Sequence, residues 1–245
     1  MSALTPLLDA QISRLRRRLG DTYNEDGSLI TGDLLYASTS GTTFLQPELL
    51  DIYNDSIRSF MVYMTKAFPK KSWFEYMPGY VCIATNKAVT SGKMLMSVLN
   101  PSAFQLVDVK KYNASANVPA ELSFQVDPGE WFALETGLTK TRKPDTTHVF
   151  HCVMGDVAVA GVPSTMFVLP TTISAIDVIY LKDHTDFVQN NATPGDLAGI
   201  SADGLRRILI FAEVEARRWK STEQNDVPEV QLQQMIQQDV SDKDK

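Results

Sequence analysis

Apolar residues near the start of the chain recur at helical spacing. Leu8, Ile12, Leu15 and Leu19 share one side when turned at about 100° per residue, while Arg14, Arg17 and Arg18 fall on the other. Gly20 is placed to stop this first helix. The Gly-, Ser-, Thr- and Asp-rich stretch after it reads as a long loop. A second helix begins near Pro47, a residue suited to the first helical position because its missing N–H has no intrahelical partner there. Leu49, Leu50, Tyr53, Ile57, Phe60, Met61, Met64 and Phe68 form its broad apolar face; Asp51, Asp55, Arg58 and Lys66 fall away from it, and Pro69 ends it.

From about Trp73 to Lys182 the helical period fades. Short runs rich in Val, Ile, Phe, Tyr and Thr are punctuated by Gly, Pro and Asn, the pattern of many short strands. Leu122, Phe124 and Val126 alternate with Ser123, Gln125 and Asp127, as a half-buried strand does. Further strands are expected at Tyr80–Ala84, Met94–Leu99, Phe104–Val109, Trp131–Glu135, His148–Met154, Val157–Ala160, Met166–Leu169 and Val178–Leu181. Such a series suggests a sandwich or small barrel.

The helical period returns in SADGLRRILIFAEVEARRWK. Ser201 can cap this helix and Asp203 suits its first turn. Leu205, Ile208, Leu209, Ala212, Ala216 and Trp219 form one stripe, and Ile210, Phe211 and Val214 a second on the far side, so the helix is expected to pack against two neighbours, with another subunit as one candidate. The pattern as a whole predicts an α+β protein: a small helical bundle made by the N- and C-terminal helices, with an antiparallel β-domain inserted. Residues 1–72 and 186–220 supply the bundle, 73–185 the β-domain and 221–245 a tail.

Composition and charge narrow the function. The chain has 245 residues, 44% hydrophobic and 21% charged, ordinary for a globular protein. With Lys plus Arg at 23 and Asp plus Glu at 29, the net charge is −6, which disfavours generic binding to nucleic acid or anionic lipid. Much of that charge is local. Residues 221–245 hold six acids against two lysines, −4 of the −6, with Val230, Leu232, Met235 and Ile236 as their apolar cluster; they read as a polar tail that orders on a partner. Cys82 and Cys152 stand far apart, which gives neither a disulfide framework nor a zinc cluster. The first residues lack the apolar run of a signal peptide, and no stretch approaches the ~18 apolar residues of a membrane span, so a cytosolic or particle-bound protein with no membrane contact is expected.

Catalytic patterns fail on spacing. In His148-Val149-Phe150-His151-Cys152, residues three apart on a strand face opposite ways, leaving only His148 and Cys152 on one face, too few for a metal site. Thr90-Ser91-Gly92-Lys93 imitates the end of a phosphate-binding loop, but Lys87 stands where its first Gly belongs and Met94 where the magnesium-binding hydroxyl belongs, so a hairpin turn is the better reading. Glu213 and Glu215 face apart on a helix; Glu213 instead pairs with Arg217 four residues on, a surface pair worth a few tenths of a kcal/mol. The run Arg16-Arg17-Arg18 reads as a solvated helix face, with an inter-subunit or DNA-facing contact as its functional alternative. No catalytic residue, cofactor or metal is expected.

LLDAQISRLRRRLGD, the helix with PELLDIYNDSIRSF and the closing SADGLRRILIFAEVEARRW together resemble the head–tail connector or adaptor proteins of tailed bacteriophages, over about 75 residues. In that family an arginine-bearing helix ending in Leu-Gly-Asp opens a helical bundle and a late helix closes it. The chain departs from compact connectors in carrying more than 100 strand-rich residues between these helices, as longer adaptors do.

The resemblance implies a non-enzymatic virion protein of the neck, made in the host cytoplasm. Its subunits form a ring, commonly twelvefold, beneath the portal, contact tail or nozzle proteins, and touch channel DNA at most non-specifically. Portal docking then falls to the tail, with Val230, Leu232, Met235 and Ile236 as anchors. Arg14, Arg17, Arg18, Ile210, Phe211 and Val214 become candidates for inter-subunit or channel contacts. The alternatives are another phage tail or baseplate component of the tail-completion type, or a hydrolase or nucleotide-binding enzyme using the central strands.

Overall fold

The computed structural model describes residues 6–22, 44–113, 123–137, 143–145, 148–154, 165–187, 197–220 and position 234. These divide into two compact units. Residues up to Tyr80 and from His184 onward form a helical unit, and Val81–Asp183 form a sheet unit. The mixed α+β class follows, with five α-helices and two sheets among the described residues.

In the helical unit, α1 (Pro6–Leu19), α2 (Gln46–Ala67) and α5 (Ala202–Lys220) carry the predicted apolar faces. Leu8, Ile12 and Leu15 of α1, Leu49 through Met64 of the α2 face, and Leu205, Ile208, Leu209, Ala212 and Ala216 of α5 are all buried; Trp219 is instead about half exposed. At the head of α2 the Glu48 carboxylate accepts the Leu45 N–H at 2.8 Å, closing one orphan donor of the first turn. The short α3 (Lys70–Tyr76) and a 3₁₀ turn over Pro78–Tyr80 follow. Residues 73–80, expected to open the β-domain, are therefore helical except for the cap residue Met77, and belong to the helical unit. Trp73 is buried, and its ring N–H donates to the Phe68 carbonyl at 3.2 Å.

One end of this unit is held by a buried polar chain. The Asn54 amide donates to the Phe187 carbonyl (3.0 Å) and its oxygen accepts the Phe187 N–H (2.9 Å). That orientation makes Asn54 Oδ1 an acceptor for His184 Nε2–H at 3.0 Å, which leaves His184 Nδ1 to accept from the Tyr80 hydroxyl at 2.9 Å. The last residue before the sheet unit is thus bonded to the first residue after it.

The sheet unit contains two sheets. In the first, β7 (Ala175–Lys182) lies between β1 (Val81–Ala88) and β3 (Ala103–Lys111), antiparallel to both. The second runs β2 (Lys93–Leu95), β6 (Thr165–Leu169), β5 (Phe150–Met154) and β4 (Phe124–Gln125). The β4–β5 pair is parallel, a departure from the all-antiparallel expectation. Both sheets feed one apolar core, in which Val109, Met166, Val168, Ile176 and Val178 are sealed from solvent. Thr90 and Lys93 exchange backbone hydrogen bonds around Ser91 (φ 50) and Gly92 (φ 72), the hairpin turn read from sequence.

Three strand expectations are corrected. Met94–Leu99 is strand only as far as Leu95, the end of β2, and Met96–Val98 forms a 3₁₀ turn. Trp131–Glu135 lies in α4 (Pro128–Glu135), which Asp127 caps by accepting the Glu130 N–H at 2.7 Å, with Pro128 in the first turn. The alternation around Phe124 is also broken. Ser123 and Val126 are buried, whereas Phe124 is 52% exposed and leans on Phe150. The expected strand Val157–Ala160 lies outside the described residues.

Candidate functional site

The end of α1 shows why Leu19-Gly20-Asp21 takes the form it does. Gly20 has φ +72, a left-handed conformation that costs a glycine little. Its N–H bonds the Arg17 carbonyl (3.3 Å) and the Asp21 N–H bonds the Arg16 carbonyl (2.9 Å), the paired bonds of a Schellman cap. The turn folds Asp21 back along the helix, where its carboxylate accepts from Arg16 NH1. The same nitrogen donates to the Phe44 carbonyl at 3.0 Å, just ahead of α2. Arg16 is fully buried, and burial lowers the pKa of its guanidinium against the opposing pull of Asp21. The reading of residues 16–18 as a solvated run is therefore wrong for Arg16. Four residues separate it from Ile12, about 40° around the helix, so it lies on the apolar side.

Arg18 turns towards α5. Its NH1 donates to Glu213 at 2.9 Å, and Arg217 donates to the other Glu213 oxygen at 3.1 Å and to the Arg18 carbonyl at 3.1 Å. Glu213 is buried. The predicted Glu213–Arg217 pair is thus one arm of a bridge that joins the two helices, not an isolated surface pair.

At the head of α5, the Ser201 hydroxyl accepts the Gly204 N–H at 3.1 Å, and the Ser201 N–H donates to the Tyr76 carbonyl at 2.9 Å. A Cβ on Gly204 would stand 2.6 Å from the Tyr76 oxygen, so glycine permits this close approach. Arg207 lies over the Tyr76 and Phe68 rings at 4.8 and 5.4 Å and pairs with Asp203. With that side of the helix occupied, Arg206 faces α1.

Between α1 and the first turns of α5 runs a groove of about 460 Å³. Arg14, Arg17 and Arg18 rim it from α1 and Arg206 from α5; Ala202, Leu209 and Gln11 complete its lining. Arg14, Arg17 and Arg206 are exposed, and among the described residues no carboxylate pairs with them. Planar, permanently charged forks around an apolar floor suit an anionic group that also carries apolar surface. Every lining side chain is Arg, Gln, Ala or Leu, so the groove itself offers recognition and not proton transfer.

Of the six contact candidates, Arg14 and Arg17 stand in this groove, and Arg18 stands there while bonded to Glu213. Phe211 packs on Phe60 and Tyr63 of α2, with ring centroids 6.0 and 5.7 Å away, Val214 is buried, and Ile210 is half-buried. Val230, Leu232, Met235 and Ile236 lie outside the described residues. Arg206 was missed by the sequence reading, although it lies four residues from Ala202 and three from Leu209.

The central histidines do not converge. His148 precedes β5, is exposed, and lies 3.1 Å from Asp145. His151 is buried, 2.9 Å from the Ser123 hydroxyl. Cys152 is buried, and burial, with a smaller contribution from Asp127, pushes its thiol pKa up. Among the described residues no three His, Cys, Asp or Glu side chains are placed to hold a metal, and no helix is long and apolar enough to cross a membrane. Comparison of the chain with protein-family models and with curated proteins gives no match.

Proposed function

We propose that this chain is a structural protein of a tailed-phage virion, a head–tail adaptor that forms a ring beneath the portal and joins capsid to tail. The observation that carries the reading is the way the two ends of the sequence meet. α1, ending in Leu19-Gly20-Asp21, packs with α2 and α5 into one helical unit, and the sheet unit is an excursion between Tyr80 and His184. This is the arrangement that the resemblance implies for an adaptor with an inserted β-domain. The helical unit then belongs to the ring and the sheet unit to contacts with tail or nozzle proteins.

The test is to mix the full chain with isolated portal rings and image the product by cryo-electron microscopy. A second ring of this chain, coaxial with the portal, is the expected result. Bare portal rings beside free chain at saturating concentration would overturn the proposal.

A further inference from the structure

We propose that the arginine-rimmed groove between α1 and α5 takes up the acidic C-terminal segment of the same chain, residues 221–245. The argument starts from what the groove demands. Arg14, Arg17 and Arg206 bring three guanidinium groups to one rim with no carboxylate partner among the described residues, and Ala202 and Leu209 give the floor an apolar surface. A suitable occupant presents carboxylates and aliphatic side chains together over a short length.

Residues 221–245 supply that chemistry. They carry six acids against two lysines, and Val230, Leu232, Met235 and Ile236 sit between Asp226 and Glu229 on one side and Asp239 on the other. The rest of the chain shares only −2, and the most acidic of the other stretches outside the described residues, 23–43, carries three acids, so the tail holds the largest excess of negative charge among them.

Geometry permits the return. α5 has 19 residues, so at ~1.5 Å per residue its two ends are about 28 Å apart. An extended chain covers ~3.3 Å per residue, so about nine residues after Lys220 span that distance. Position 229 or 230 is then level with the first turns of α5, where the apolar cluster begins. A nucleic-acid strand fits less well, because its phosphates bring no aliphatic group to Leu209 and a chain of net −6 repels it. The inference rests on the groove and the segment, and is independent of the adaptor reading. A segment seated here is withheld from any other partner until that partner displaces it.

The test uses the full chain with a benzoylphenylalanine photocrosslinker in place of Gln231, which leaves the four apolar residues intact. Irradiation is expected to yield crosslinks within single chains, mapped by mass spectrometry to residues 11–18 or 202–209. In the background of Arg14→Glu with Arg17→Glu the yield should fall at least tenfold, with an unchanged far-ultraviolet circular dichroism spectrum and thermal midpoint showing that the fold is intact. Equal yields in the two backgrounds, or crosslinks to other elements, would overturn the proposal. So would crosslinks that join isotopically heavy to light chains in a mixed sample, which would seat a second copy's segment. A DNA oligonucleotide that binds the unsubstituted groove while no crosslink to it forms would assign the arginines to nucleic acid instead.

Discussion

The two units bury polarity very differently. Among the described residues, the helical unit encloses Gln11, Arg16, Asp21, Gln46, Asn54, Ser56, His184 and Glu213, whereas the sheet unit encloses only Ser123 and His151. The contrast follows from where each kind of element spends its backbone hydrogen bonds. A helix satisfies its own, so nothing in the backbone fixes how one helix lies on another. Strands bond to their neighbours, and the ladder itself sets register, as between Val81–Ala88 and Ala175–Leu181. The helical unit instead fixes its packing with side-chain bonds that have one geometry: Arg16, held by Asp21, with the Phe44 carbonyl, Arg18 and Arg217 with Glu213, and His184 with Asn54.

The sharpest way to break this comparison is to remove one partner of a buried pair. Asp21→Ala leaves the Arg16 guanidinium buried without its counter-charge, and is expected to cost the helical unit about 3–5 kcal/mol in urea denaturation. Adding Arg16→Met should recover most of that loss. A cost under about 1 kcal/mol for the single substitution would mean that the pair does not hold α1 in place. In the sheet unit an equally buried position has only apolar contacts to lose. Ile176→Val on the central strand β7 is expected to cost about 0.5–1.5 kcal/mol by the same measurement, with β1 and β3 pairing retained.

The smallest effect has the opposite sign. The Tyr53 hydroxyl is buried with no hydrogen-bond partner among the described residues, and burial raises its pKa above the ordinary 10.0, against a small opposing pull from Arg14. Tyr53→Phe removes an unpartnered polar atom and should raise stability by about 0.5–1 kcal/mol at pH 8. The pH dependence follows from the same shift. With the folded-state pKa raised, the contribution of Tyr53 to stability is complete below pH 10 and is lost as pH climbs past it towards the folded value, because the unfolded chain ionises first. Denaturation midpoints at pH 8 and 10.5 should therefore converge more closely in Tyr53→Phe than in the unsubstituted chain.

The parts of the fold legible in the sequence are those decided by period. Fourteen to twenty-two residues of consistent spacing placed α1, α2 and α5, and single punctuating residues, Gly20, Pro47 and Ser201, placed their ends. Trp131–Glu135 was misread because four apolar residues in five have no period to count, and the deciding information lay just upstream in Asp127-Pro128. Phe124 misled for another reason. Its size suggests burial, but the buried position beside it is taken by Ser123, whose hydroxyl meets His151 from a strand distant in sequence. The groove was half legible. The outward turn of Arg14 and Arg17 follows from angle alone, but the inward turn of Arg16 required trusting angle over charge, and Arg206 gains meaning only once α5 is known to lie against α1.

The bond between Tyr80 and His184 has a consequence in the language of polymer loops. Because the departing and returning strands of the chain are clasped together by groups that belong to the helical unit, the sheet unit is, for that unit, a closed loop whose ends are already pinned. The entropy of closing such a loop grows only with the logarithm of its length, by about 0.6 kcal/mol for each doubling. The helical unit is thus nearly indifferent to how much chain is threaded between its clasped residues, which makes that position a natural port for exchanging one inserted module for another.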